Sequence, residues 1–95
     1  MAQVTWSKKA RNDLRDIVRY IARDKPATAE LYAHRIFKAT RRLKDFPNSG
    51  RAIPEENENN LREIIFGNYR IIYKVDNDSV IIVTVHHSSQ ILRIS

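Results

Sequence analysis

The most informative segment of the chain reads Gly67-Asn68-Tyr69-Arg70-Ile71-Ile72-Tyr73-Lys74-Val75. It has the composition of a β-strand, but it carries a cation at a central position that small domains normally fill with Thr, Val or Ile. Side chains alternate between the two faces of a strand, so one face carries Arg70, Ile72 and Lys74 while the other is aromatic and aliphatic. The segment therefore predicts a sheet with one apolar and one cationic face, and a cationic face suits phosphates or carboxylates.

Two more strands are predicted on either side of this segment. Leu61–Phe66 precedes it and is joined to it by Gly67-Asn68, a tight turn in which glycine can take a positive φ. Val80–His86 follows it after a polar turn and is almost wholly apolar, so we predict that this strand is central and buried on both faces. Which of its residues oppose Arg70 depends on the register, and the sequence leaves the register open.

The N-terminal half has the pattern of a short strand followed by two helices. Gln3–Trp6 predicts the strand, and Ser7 is a good N-cap for a helix over residues 8–23, where apolar residues recur at spacings of three and four. Pro26 ends this helix and suits the first turn of a second one, which is predicted to run to about Asp45. The short link predicts an antiparallel helical hairpin. The whole order predicts an α+β domain with the hairpin packed on one face of a three-stranded antiparallel meander.

A polar loop is predicted between the second helix and the meander. Phe46-Pro47-Asn48-Ser49-Gly50 ends the helix, and the residues up to Asn60, which include Glu55, Glu56 and Glu58, are expected to be exposed and mobile. The tail from Ser88 to Ser95 contains Ile91, Leu92 and Ile94. We expect these to dock as a last strand or to lie on a partner.

The composition indicates one small domain, residues 1–95, with a polyanionic partner. Hydrophobic residues make up 42% and charged residues 29% of its 95 residues, as in globular proteins. Its 17 Lys and Arg exceed its 11 Asp and Glu, which gives a formal net charge of +6. That excess favours nucleic acid or an acidic protein segment, the alternative being a solvated basic surface. The sequence has no cysteines, no signal-peptide pattern and no run of about 20 apolar residues. We therefore expect a cytoplasmic protein with no disulfide and no membrane span.

The common catalytic patterns are absent from the sequence. The chain has only two glycines, so it has no Gly-rich phosphate loop, and no Ser–His–Asp or Cys–His arrangement is suggested by spacing. His86 and His87 are adjacent, so on a strand they face opposite ways and cannot bind one metal ion together. We therefore expect neither a metal site nor a cofactor.

General acid–base cleavage of RNA remains open. It needs a base for the 2′-hydroxyl proton, cations for the scissile phosphate and an acid for the leaving group. The residues available for these roles are Arg62, Glu63, Arg70, Lys74, His86 and His87. The structural alternatives are an ion pair between Arg70 and Glu63, and a hydrogen-bonded His87 that closes the last strand.

The second helix is strongly basic and carries two apolar residues outside its main apolar stripe. Those two are Leu31 and Phe37, which we expect to be exposed for a partner. The basic residues are His34, Arg35, Lys38, Arg41, Arg42 and Lys44. A solvated face accounts for most of them.

Short motifs occur in a recognisable order along nearly the whole chain. The first group is Val4-Thr5-Trp6-Ser7, Ala10, Asp13-Leu14, Ile17, Tyr20-Ile21 and Ala29. The loop contributes Pro47-x-x-Gly50-Arg51, and the strands contribute Leu61-Arg62-Glu63, Tyr69-Arg70-Ile71-Ile72-Tyr73 and Val85-x-His87. No single motif is diagnostic, but their order and spacing together resemble the RelE/ParE superfamily of bacterial type II toxins.

The resemblance implies a RelE/ParE-like fold and a growth-inhibiting toxin that is neutralised by a protein antitoxin encoded beside it. Antitoxins of such systems typically carry a DNA-binding dimerisation domain and a segment that wraps the toxin. The positive charge of the chain suits an acidic wrapping segment. We assign the antitoxin contact to Leu31, Arg35, Phe37, Lys38 and Arg42.

The resemblance leaves two targets open. RelE-like members cut mRNA in the ribosomal A site, whereas ParE-like members poison DNA gyrase. Arg70 matches the mid-strand Arg of both branches and His87 matches the V-x-H pattern of the ParE-like branch, which the resemblance favours. Target contacts are then expected at Arg51, Arg62, Arg70, Lys74, His87 and Arg93; for an mRNA endoribonuclease, the catalytic candidates are Arg70, His87, Arg62 and Lys74. A degenerate toxin that only binds its antitoxin is a third interpretation.

Overall fold

The computed structural model describes residues 2–53 and 60–88. In this part of the chain a first strand is followed by two helices and then by four further strands. The elements are β1 (Gln3–Trp6), α1 (Lys8–Ala22), α2 (Pro26–Arg41), a 3₁₀ turn (Arg42–Lys44), β2 (Arg51–Ala52), β3 (Leu61–Phe66), β4 (Tyr69–Asp76) and β5 (Ser79–His87). The α+β fold with a helical hairpin before a meander is therefore confirmed. Arg93, the apolar residues of the tail and the glutamates of the loop lie outside the described residues.

The five strands form one sheet in the order β1-β5-β4-β3-β2. The three strands of the meander are antiparallel, as predicted, and β1 joins them as a parallel neighbour of β5, with Trp6 opposite Ile82. At the other edge β2 pairs antiparallel with β3, placing Arg51 opposite Glu63. A strand of two residues is too short to show an alternating pattern, so sequence reasoning assigned it to the loop.

Local sequence signals set where both helices begin. The Ser7 hydroxyl accepts a hydrogen bond from the Ala10 N–H at 3.0 Å, and it donates to the Val83 carbonyl of β5 at 2.9 Å. The N-cap therefore also ties α1 to the sheet. Pro26 occupies the first turn of α2, where its missing N–H has no helical partner in any case.

Both helices pack on one face of the sheet. The core there consists of Ala10, Ile36, Leu43, Ile71, Tyr73, Val80, Ile82 and Val85. On the other face, Ile53, Leu61 and Ile72 form a smaller buried cluster. Ile53 is fully buried, so the expectation that the loop is exposed throughout is wrong at this residue. Its side chain covers apolar surface of the helix-free face and gains by leaving water.

The prediction for β5 is right about its position but wrong about its burial. The strand lies inside the sheet, between β1 and β4. Ile81, however, is 38% exposed, because the helices cover only one of the two faces.

A β-bulge at Val83 changes which residues of β5 share a face. Tyr73 lies opposite Ile82 and Ile72 lies opposite Thr84, so Val83 is the extra residue between them. One extra residue reverses the alternation beyond it.

Candidate functional site

A buried carboxylate organises the helix-free face of the sheet. Glu63 of β3 is 1% exposed, and its two carboxylate oxygens accept hydrogen bonds from the Nε atoms of Arg51 and Arg70. The Arg70 side chain is 13% exposed, whereas that of Arg51 is 66% exposed. A carboxylate removed from water requires such partners, because an unpaired buried charge is very costly. The ion pair considered for Arg70 is therefore present, and Arg70 has a structural role whatever else it does.

His86 joins Arg70 on this face, because the bulge places it directly opposite Arg70 on the neighbouring strand. Burial lowers the pKa of His86 from its ordinary value of 6.5, and the positive charges of Arg70 and Lys9 lower it further, against the opposite effect of Asp13 and Glu63. These effects favour the neutral form of the imidazole. Its Nε2 atom is buried and has no hydrogen-bond partner among residues 2–53 and 60–88.

Asp13 of α1 covers the part of β5 that β1 does not reach. β1 ends at Trp6, so the Val85 N–H is bound instead by Asp13 Oδ2 at 3.1 Å, and the Thr84 hydroxyl donates to the same oxygen at 2.6 Å. Lys9 donates to both Asp13 and Thr84. These bonds fix α1 against the end of β5 that carries His86.

The loop before β2 is anchored by a buried tyrosine. The Gly50 N–H donates to the Tyr73 hydroxyl at 2.8 Å. A Cβ atom at Gly50 would lie 2.5 Å from that hydroxyl oxygen and 2.6 Å from the Glu63 carbonyl oxygen, so only glycine fits. Burial raises the pKa of Tyr73, although the Gly50 hydrogen bond and nearby arginines oppose the shift. The close approach brings Arg51, the next residue, beside Glu63.

Two predicted site residues lie on the helix-covered face instead. Arg62 is opposite Tyr73, and its Nη1 donates to the carbonyl of Gly50 at 2.7 Å and, more weakly, to that of Asn48 at 3.3 Å. His87 is opposite Tyr69, with the ring centroids 5.5 Å apart in an edge-on arrangement. The structure therefore brings together Arg51 and Arg70, with the exposed Lys74 on the same face, and separates them from Arg62 and His87.

Glu63 and His86 were among the available groups but not among the predicted site residues. Glu63 was detectable, since it lies between Leu61 and Ile65 on one face of a predicted strand, and a carboxylate flanked by apolar side chains needs a cationic partner. His86 was not, because only the bulge decides which of two adjacent histidines shares the face of Arg70.

The outer surface of α2 carries the predicted antitoxin contacts. Leu31 and Phe37 are 46% and 52% exposed, so their predicted exposure is confirmed. The other contacts line a groove of about 810 Å³ whose walls are mostly basic. Those walls include Arg35, Lys38, Arg41, Arg42 and Lys44.

No group of three or more His, Cys, Asp or Glu within residues 2–53 and 60–88 could hold a metal ion. None of the helices described above is long and apolar enough to cross a membrane.

Comparison with known proteins identifies the family. The model of the family "ParE toxin of type II toxin-antitoxin system, parDE" matches residues 4–92. The curated protein Toxin RelE2 of Caulobacter vibrioides is 34% identical over 92 residues, covering 96% of this chain and 100% of that protein.

Solved structures give the same fold. The chromosomal ParDE toxin–antitoxin system of P. aeruginosa matches with a TM-score of 0.79 at 20% identity, covering 92% of this chain and 96% of the other. The toxin–antitoxin complex RelBE2 of Mycobacterium tuberculosis matches with a TM-score of 0.66 at 21% identity, covering 90% and 96%. The motif order, the five-stranded fold and these matches together establish that the chain belongs to the ParE toxin family within the RelE/ParE superfamily, the toxins of type II toxin–antitoxin systems.

Proposed function

We propose that this toxin inhibits growth in the cytoplasm by binding DNA gyrase through the helix-free face of its sheet, without catalysing a reaction. Target contacts are assigned to Arg51, Arg70 and Lys74 on that face. Arg62 and His87 stay as predicted contacts that would have to act from the other face, and Arg93, which lies outside the described residues, stays a predicted contact.

The state of Glu63 is the observation that carries this proposal. Acid–base cleavage of RNA uses one group to accept a proton and another to donate one. Glu63 is buried and both of its oxygens already accept hydrogen bonds from arginines, so neither oxygen is open to a substrate hydroxyl. Within the described part of the helix-free face, His86 is then the single group suited to proton transfer near pH 7. Efficient cleavage requires both a base and an acid, so a single proton-transfer group is not enough.

The rest of the face resembles a protein-binding surface. Ile65 and Ile81 are 52% and 38% exposed, and Lys74 lies opposite Ile81. Exposed aliphatic side chains beside cations suit a protein partner, since apolar contact supplies affinity and charge supplies orientation.

The second candidate is a ribosome-dependent mRNA endoribonuclease, which the position of His86 favours. A neutral imidazole beside Arg70 can accept the 2′-hydroxyl proton while the guanidinium stabilises the phosphorane. In this alternative His86 takes the role predicted for His87, and Lys74 assists in phosphate binding.

Neutralisation is assigned to a cognate antitoxin that binds the outer surface of α2. The two similar solved structures are toxin–antitoxin systems. Leu31 and Phe37 offer apolar contact, and Arg35, Lys38 and Arg42 attract an acidic segment.

Pulse-labelling separates the two targets. The chain is induced without its antitoxin, and thymidine and methionine incorporation are followed separately over the next minutes. Gyrase inhibition predicts that DNA synthesis stops first, with an SOS response. If methionine incorporation stops first and mRNA is cut at codon-defined positions, the gyrase proposal is wrong.

Matched variants test the assigned face. Lys74→Glu should weaken growth arrest and inhibition of gyrase supercoiling, whereas Lys8→Glu, a charge reversal at another exposed lysine on α1, should leave both unchanged. His86→Asn distinguishes the mechanisms, because it should reduce cleavage by about 10²–10⁴-fold if His86 transfers a proton and change little if the toxin only binds. Arg70→Ala should lower toxicity in both cases, since it also leaves Glu63 without its buried partner.

A further inference from the structure

The helical layer carries its own cationic surface, the groove of about 810 Å³ along α2, which we call the basic groove. It continues past the end of α2 onto the 3₁₀ turn and takes in Phe66 at the end of β3. Asp45 is the one carboxylate among the described residues that line it. Five cations line it, and all of them are exposed: Arg35, Lys38, Arg41, Arg42 and Lys44.

The cations of the basic groove have no acidic partners in the described part of the chain. No ion pair within residues 2–53 and 60–88 involves any of the five. On the helix-free face of the sheet, by contrast, Arg51 and Arg70 share the carboxylate of Glu63. The positive charge of the basic groove is therefore less compensated, and a cleft lined by charges of one sign attracts ligands of the opposite sign.

The spacing of the cations works against the stability of α2. Lys38 lies three residues after Arg35, and it lies three residues before Arg41 and four before Arg42. Side chains at these spacings are neighbours on a helix, and like charges there destabilise it. Attraction to the C-terminal end of the helix dipole favours Lys38 and Arg41 in the last turn but does not extend to Arg35. An anionic partner explains the whole row better than the needs of the helix do.

The lining of the basic groove favours a nucleic acid over an acidic protein segment. Protein interfaces combine charge with an apolar centre. Ala39 and Phe66 are the only apolar residues that line the groove in the described part of the chain, and the exposed Leu31 and Phe37 of α2 do not line it. A cleft with many cations and little apolar surface suits a phosphate backbone, which supplies closely spaced negative charges.

A duplex fits the basic groove better than a single strand. Proteins that hold single strands stack the bases on aromatic side chains. Phe66 is the one aromatic residue that lines the described part of the groove, and it is partly buried, with its ring in edge contact with Tyr32 at 5.2 Å. The row of Arg35, Lys38 and Arg42 spans about 10 Å at 1.5 Å per residue. About 10 Å of duplex axis carries roughly three phosphates on each strand, which matches this row.

We propose that the basic groove binds the phosphate backbone of double-stranded DNA without regard to base sequence. Contacts to phosphates position a protein on a duplex but carry no sequence information. The inference goes beyond the proposed function and does not rest on it. Arg35, Lys38 and Arg42 are also assigned to the antitoxin, so an acidic antitoxin segment competes with DNA for these three cations. DNA binding is therefore a property of the toxin that is free of its antitoxin.

Fluorescence anisotropy of a labelled DNA duplex, titrated with the purified chain, tests the inference. Duplexes of unrelated sequence should bind equally, with a dissociation constant of about 10⁻⁴–10⁻⁶ M at physiological salt. Four or five phosphate contacts should give a slope of about −4 when the logarithm of the affinity is plotted against that of the salt concentration. A single-stranded RNA of the same sequence should bind more weakly. No binding of the duplex at low salt, or tighter binding of the RNA, would overturn the inference.

Two charge-matched double variants locate the DNA contact. Arg41→Gln with Lys44→Gln removes two groove cations that the antitoxin assignment does not include. Lys8→Gln with Arg23→Gln removes two exposed cations at the ends of α1 that do not line the groove, and each pair lowers the formal net charge from +6 to +4. The groove variant should bind the duplex about 10-fold more weakly, with a salt slope that is smaller by about 2, while the α1 variant should bind nearly as the wild-type chain does. Equal losses in the two variants would mean that net charge and not the groove holds the DNA, which would refute the inference.

NMR places the duplex on the surface of the chain. Chemical-shift changes on adding the duplex should concentrate in residues 35–45, whereas changes concentrated around Lys74 would place the DNA on the helix-free face and contradict the inference. Neither gyrase nor antitoxin is present in these titrations, so the inference and the proposed function fail separately. A chain that binds DNA through the groove but leaves gyrase supercoiling unaffected refutes the proposed function alone. A chain that inhibits supercoiling but does not bind DNA refutes this inference alone.

Discussion

Replacing Arg70 should destabilise the toxin far more than replacing Arg51, although both arginines bind the same carboxylate. Arg70→Met keeps most of the side-chain volume but removes the more buried of the two arginines that bind Glu63 in the described part of the chain, and it leaves there Arg51, whose side chain is 66% exposed. Removing one partner of a buried ion pair costs about 3–5 kcal/mol. Removing an exposed partner costs about 0–1 kcal/mol, so Arg51→Met should be nearly silent.

The expected loss is large for a domain of this size. Small domains unfold with about 5–15 kcal/mol, so a loss of about 3–5 kcal/mol in the Arg70→Met variant is at least about a fifth of the total stability. At roughly 4–8 °C per kcal/mol, its melting temperature should fall by at least about 12 °C. Urea unfolding followed by circular dichroism at pH 7 measures both variants on the same scale.

A double variant tests the reasoning independently. Replacing both members of a buried pair by apolar residues is often neutral, because neither charge is then left in a poor solvent. Glu63→Leu with Arg70→Met should therefore be more stable than Arg70→Met alone. If Arg70→Met costs no more than Arg51→Met, or if the double variant is less stable than Arg70→Met alone, the buried carboxylate does not organise this face.

Three further predictions concern single contacts. Tyr73→Phe should cost about 1–3 kcal/mol in urea unfolding because it leaves the buried Gly50 N–H unbound, whereas Tyr20→Phe, at a residue 70% exposed, should change nothing measurable. Ser7→Ala removes the N-cap and should cost about 1 kcal/mol by the same measurement, with a cost near zero contradicting the capping role. Burial lowers the pKa of His86, so His86 should titrate below pH 6.5 by NMR, and a titration midpoint at or above 6.5 would contradict the assigned burial. Because the pKa is lower in the folded state, the unfolded chain takes up the proton first, and the folded state loses stability as the pH falls through about 6.5. The His86→Asn variant should lack this loss.

Much of the fold could be read from local patterns. The helices have apolar spacings of three and four with Ser7 and Pro26 at their starts, and the predicted strands at Leu61–Phe66 and Tyr69–Val75 are separated by a glycine turn. The cationic face of β4 followed directly from the two-residue period. These features depend on residues that are close together in the chain, because hydrophobic periodicity and helix capping are local effects.

The features that were missed depend on residues far apart. Glu63 was available as a partner for Arg70, but only the pairing of β2 with β3 shows that Arg51 joins it. The bulge at Val83 lies in a run of similar aliphatic residues, and nothing in that run marks where the register shifts. Since a shift of one residue exchanges the two faces, His86 and not His87 lies beside Arg70. Ile53 is one apolar residue after a two-residue strand, and its burial follows from the sheet beneath it.

The parallel pairing of β1 with β5 bears on when a newly made chain becomes dangerous to its host. The hydroxyl of Ser7 binds the carbonyl of Val83, 76 positions later, so the first strand finds its neighbour only after almost the whole chain exists. Contacts of such long sequence separation form late and slow folding. The helical hairpin, with its short-range contacts, can form while β5 is still being synthesised. The outer surface of α2, to which we assign the antitoxin, can thus form before the sheet is complete, and an antitoxin that binds there could capture the toxin during translation.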